Sequence, residues 1–77
     1  MAFVSHYRKV EETPDQISYA YGWEPDILSK TLRLDKVSRH LVPSDEAVTH
    51  AMTATAAAVL RVLDRTGQWP QQGHVAS

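Results

Sequence analysis

The chain has 77 residues, 43% hydrophobic and 22% charged, with 8 basic and 9 acidic side chains and a formal net charge of −1. That length supports a single core, and that balance leaves no electrostatic footprint for nonspecific binding to nucleic acid or an anionic membrane. Cysteine is absent, which excludes disulfides, thiolate catalysis and thiolate metal sites.

Residues 2–10 predict a first strand. Phe3, Ser5, Tyr7 and Lys9 share one face, and Ala2, Val4, His6, Arg8 and Val10 the other. Both faces are chemically mixed, so alternation leaves open which one is buried. Residues 11–15 read as a turn, because Pro14 presets φ and Asp15 can bond back to the backbone. Residues 16–23 carry a regular period of two. Ile17, Tyr19, Tyr21 and Trp23 form an aromatic stripe, opposite Gln16, Ser18, Ala20 and Gly22. The two strands are expected to form an antiparallel hairpin.

A second turn follows around Pro25. Residues 28–35 alternate again, with Leu28, Lys30, Leu32 and Leu34 on one side. A turn over 35–38 leads to residues 39–42, which read as a short fourth strand closed by Pro43.

Residues 44–67 predict one long amphipathic helix, with Ser44 or Asp45 as N-cap and Asp45 and Glu46 in the first turn. Arg61 and Arg65 lie in the last turns, and Gly67 is placed as the left-handed residue after the helix. At 100° per residue, Val48, Ala51, Met52, Thr55, Ala56, Val59, Leu60, Val62 and Leu63 fall in an arc of roughly 180°. Ala47, Ala54 and Ala58 line one flank. The middle of the arc is small, and the rings of Tyr19 and Tyr21 are the expected complement.

The expected fold class is α+β. An antiparallel sheet of three or four strands is followed by one long C-terminal helix packed on one face. Residues 1–70 form the domain and 71–77 a flexible tail. A helix of about 22 residues is roughly 33 Å long, against about 23 Å for a seven-residue strand. An overhang is therefore expected. It would leave Leu60, Leu63 and Trp69, with Arg61 on the adjoining polar face, as a partner-binding surface.

The aromatic stripe reads first as core under the helix, and second as a stacking platform for single-stranded nucleic acid. The second use requires exposed Tyr19 and Tyr21. His6, His40, His50 and His74 fall on separate elements without the i, i+4 spacing of a helical metal site, so no metal or cofactor is assigned. No nucleophile elbow, phosphate-binding glycine loop or paired carboxylates occur, so no catalytic residues are assigned and a non-enzyme is expected. Trp69 reads as the hydrophobic contact behind the Gly67 cap, folded onto the last helical turn. The acidic residues of the two turns read as solvated turn residues.

Three segments together resemble small uncharacterised bacterial α+β proteins. They are the Tyr-x-Tyr-Gly of residues 19–22, the Leu-Asp-Lys of 34–36 and the Gly-x-Trp-Pro of 67–70. The resemblance implies a stand-alone small domain and no mechanism. The functional expectation is a small cytoplasmic binding or regulatory module acting by protein–protein contact, either with another protein or with a second copy of itself. Nucleic-acid binding through the second strand is the alternative, and no membrane association is expected.

Overall fold

The computed structural model describes residues 4–24, 26–43 and 47–76. In chain order the elements are β1 (Val4–Glu12), β2 (Gln16–Gly22), β3 (Lys30–Asp35), α1 (His50–Thr66) and β4 (Gln72–Ala76). The four strands form one antiparallel sheet in the order β3-β2-β1-β4. α1 covers one face, so the expected fold class is the one observed. No described helix is long and apolar enough to cross a membrane.

The β1–β2 hairpin closes at Thr13, whose N–H donates to the Gln16 carbonyl at 2.8 Å while its hydroxyl accepts from the Gln16 N–H at 3.0 Å. A register shift between Lys9 and Glu11 bends β1. Ser5 and Tyr7 point to the helix side and are buried. This decides the face that the mixed pattern of the first strand left open. Ile17, Tyr19 and Tyr21 are buried too, joined by Leu32 and Leu34 of β3 and Val75 of β4.

From the helix, Met52, Thr55, Ala56, Ala58, Val59 and Leu63 are buried. Ala56 and Ala58 share the core cluster with Tyr7, Tyr19 and Tyr21, so small helical residues do meet large rings. Tyr7 and Tyr19 pack edge to face, with ring centroids 5.5 Å apart and planes at 88°. The Tyr19 hydroxyl donates to the Pro70 carbonyl at 2.7 Å, tying the middle of the sheet to the α1–β4 connection.

Several expectations need correction. The helix does not run from 44 but from His50, and its N-cap is Thr49, whose Oγ1 accepts from the Met52 N–H at 3.1 Å. Residues 44–46, expected to cap it, lie outside the described residues. Val48 falls outside the helix and is exposed. At 17 residues α1 is roughly 25 Å long, close to the span of β2, and the expected overhang shrinks accordingly. The C-terminal end is as expected, with Gly67 at φ 77° and its N–H donating to the Leu63 carbonyl at 2.7 Å.

The fourth strand is not 39–42. The Asp35 carboxylate accepts from the N–H groups of Val37 and Ser38, and Arg39 adopts φ 63°, so this stretch is a tight turn. It returns along the outer edge of β3, where Leu41 bridges Leu34 and the Val42 N–H donates to the Arg33 carbonyl at 2.8 Å. The fourth strand is instead β4, inside the segment expected to be a tail. It pairs with β1 from Val4↔Ala76 to Arg8↔Gln72. Gly73 sits directly beneath the Tyr7 ring, where a side chain has no room.

Candidate functional site

Two large apolar residues are exposed together at the end of β2. Trp23 is 67% exposed and Ile27 60%. Both flank the turn that follows β2. The turn is closed by the Ile27 N–H donating to the Glu24 carbonyl at 3.0 Å. A Cβ on Gly22 would stand 2.6 Å from the Ile27 carbonyl oxygen, so this glycine lets the turn fold back over the end of its own strand.

Across from the turn stands the start of α1, with Thr49, His50 and Ala51. Between them lies a cleft of about 570 Å³, floored by Ser5 and Tyr21 and bordered by Lys30 and Glu24. That size lies within the range of ligand and side-chain pockets. Beneath the cleft, the hydroxyls of Ser5 and Thr55 are engaged within the fold. The Thr55 hydroxyl donates to the Ala51 carbonyl at 2.7 Å, leaving its oxygen 3.4 Å from the Ser5 hydroxyl. The Ser5 hydroxyl also lies 3.5 Å from the Gly22 carbonyl. The thin polar floor thus links helix, β1 and the turn, which holds the cleft walls in place. A second cleft, of about 550 Å³, opens beside β3 between Val10, Arg33, Leu41 and Met52.

The residues expected to bind a partner lie toward the other end of the helix and differ in exposure. Leu63 is buried in the core. Trp69 is half-buried and packed on the core cluster, as expected for the contact behind the Gly67 cap. Leu60 is half-buried, and Arg61 is exposed. Trp23, expected to continue the buried stripe of β2, instead leaves the sheet at Gly22 and becomes the most conspicuous apolar surface. The signal that it could do so was the turn at 24–26 directly behind it.

Tyr19 and Tyr21 are 0% and 1% exposed, so neither ring presents a face on which a base could stack. Burial pushes the Tyr19 phenol well above its ordinary range, with smaller contributions from Tyr7 and Glu12. The four histidines separate as expected, with one exception. His6 and His74 are register partners on β1 and β4, with ring centroids 6.3 Å apart. Sixty-eight positions apart in sequence, they gave no spacing signal. Among the described residues no three potential metal ligands converge.

Three ion pairs among the described residues lie away from the cleft. The Glu12 carboxylate bonds Lys36 Nζ at 2.7 Å and Lys9 Nζ at 2.8 Å, and these bonds hold its pKa down at about 2. The Asp35 carboxyl is lowered by the Ser38 and Val37 backbone N–H groups it accepts from. Arg39 and Asp64 form an exposed ion pair at 2.7 Å between the 35–39 turn and α1. No family model, curated protein or solved structure matches this chain.

Proposed function

We infer that the chain is a non-enzymatic cytoplasmic binding module that takes a protein partner into the cleft between the Gly22–Ile27 turn and the start of α1. The occupant is a segment of another protein that lays one large apolar side chain beside Trp23 and Ile27. The observation that carries this reading is the exposure of those two residues on the rim of a preformed cleft. Exposed tryptophan around a concave site is the usual composition of a binding hot spot. Binding rather than catalysis is supported by the floor, where the Thr55 hydroxyl donates into the fold and the Ser5 hydroxyl lies beside acceptors within it.

The test uses a partner captured from the native host, purified, and titrated against the chain. Trp23→Ser is expected to weaken binding at least tenfold. Val37→Ser, at an exposed apolar position outside the cleft, is expected to leave it within twofold. Arg61→Glu should also be neutral. A partner lost by Arg61→Glu but indifferent to Trp23→Ser binds at the far end of the helix and overturns the cleft reading.

A further inference from the structure

The two outer strands of the sheet are treated very differently. β3 carries Lys30, Arg33 and Asp35, and residues 39–42 run along its outer side with hydrogen bonds to Arg33 and Asp35. Both are standard ways of blocking an edge against further pairing. β4 has neither. Its sequence is QGHVA, without a formal charge or a proline, and no described strand lies beyond it.

Hydrogen-bond alternation shows which groups that edge offers. The Lys9 N–H donates to the Gln71 carbonyl at 2.7 Å, so directly opposite residues at this position form a hydrogen-bonded pair. Stepping along the register, Tyr7–Gly73 and Ser5–Val75 are hydrogen-bonded pairs, while Arg8–Gln72 and His6–His74 are not. The N–H and C=O groups of Gln72, His74 and Ala76 therefore point away from β1, outward along the edge. The side chains of His74 and Gln72 lie on the sheet face opposite α1, next to His6 and Arg8.

We propose that β4 pairs antiparallel with β4 of a second copy of this chain, and that His74 makes this dimer sensitive to pH. A partner strand can satisfy the outward backbone groups together, in place of water. A copy of the same strand does so symmetrically. Full overlap of residues 72–76 sets 72 against 76 and places His74 opposite His74 on the two-fold axis. About six interchain hydrogen bonds result. At neutral pH an uncharged strand meets an uncharged strand, with no like charges opposed. This surface is separate from the Trp23 cleft and does not rest on it.

The charge arrangement reverses in acid. Directly opposed residues in such a pair have Cα atoms about 5.5 Å apart and side chains on the same face. The row across the joined sheet is then His6, His74, His74, His6, with Arg8 beside each His6. No described acidic side chain belongs to β4, the acidic end of β1, Glu11 and Glu12, is several residues along the strand, and the segment after β2, which carries Glu24 and Asp26, lines this face through Leu28. Imidazole is the side chain that gains charge on mild acidification. Protonation would place like charges side by side on the axis, and the pair separates.

Sedimentation equilibrium in EDTA, from about 10 to 500 µM, reads the association. At pH 7.5 the mass is expected to rise from 8.6 kDa toward twice that value with concentration. At pH 5.5 the dissociation constant is expected to be at least tenfold larger. His74→Gln should dimerise at both pH values. Gln72→Pro removes an outward N–H while leaving the β1 ladder intact, and should weaken the dimer at least tenfold. Should that variant fail to fold, amide exchange of wild-type Gln72 and His74 reads the same contact, since their protection should appear only on concentration. A monomer at 500 µM and pH 7.5, a dimer indifferent to Gln72→Pro, or concentration-independent exchange at Gln72 and His74 overturns the proposal.

Discussion

Replacing Gly73 by alanine probes the contact that seats β4 on the sheet. A Cβ at this position would lie 2.5 Å from the Tyr7 hydroxyl oxygen, 2.7 Å from Cζ and 3.2 Å from Cε1. The ring has little freedom to retreat. Tyr7 is 3% exposed and packs at right angles to the ring of Tyr19, which is fully buried. Overpacking of this kind costs about 1–3 kcal/mol. Gly73 is not in the left-handed region, so alanine brings no backbone strain, and its smaller unfolded-state entropy returns about 0.4–1 kcal/mol. The net expectation is a loss of about 1–2 kcal/mol, or a fall in Tm of roughly 5–15 °C for a domain of this size. Thermal unfolding followed by circular dichroism measures it. Tyr7→Phe in the same chain removes the closest contact and should recover part of the loss, so the two changes are not additive. The sign is decisive. Were residues 72–76 a tail, Gly73→Ala would be neutral or slightly stabilising, and an unchanged or raised Tm would refute the packing argument.

Tyr19→Phe removes the hydroxyl that donates to the Pro70 carbonyl, with an expected loss of about 1 kcal/mol in urea unfolding and no change in m-value. Thr49→Ala removes the N-cap acceptor of the Met52 N–H and should cost about 1 kcal/mol, while Thr49→Ser should cost much less. An unchanged midpoint for Thr49→Ala would place the helix start elsewhere. The Glu12 carboxyl should titrate near pH 2 by NMR, and Lys36→Ala should bring it back toward 4.5. Because its folded pKa is depressed, its stabilising contribution is complete above about pH 4.5 and is lost as the pH falls toward 2. A Glu12 midpoint that ignores Lys36→Ala would show that the ion pair is not the cause.

The parts of this fold that could be read in advance are those specified by neighbours in sequence. Alternation in 16–22 and 30–35 needs only the period of two, and both strands formed with the expected residues inward. The helix end at Gly67 is a local matter of one residue without a Cβ. The helix start was harder, because 44–49 holds several competent caps and only packing chooses among them. Thr49 is the residue that caps the helix, its Oγ1 accepting from the Met52 N–H. The cleft was not legible, since Trp23 obeys the alternation of β2 until the turn lifts it out of the sheet.

β4 is the extreme case. Gln, Gly and His at 72–74 have little intrinsic strand preference, and as a local sequence they read as a tail. The segment becomes a strand because β1 has a free edge and Tyr7 needs a neighbour without a side chain. That same event brings His6 and His74 together. The sequence by itself determined the class of fold, the inward residues of the two central strands and the left-handed stop of the helix, because each depends on short-range periodicity or a single φ angle. Tertiary structure alone decided strand order, the identity of the fourth strand, the cleft at Trp23 and the open edge at His74, because each depends on contacts between residues distant in the chain.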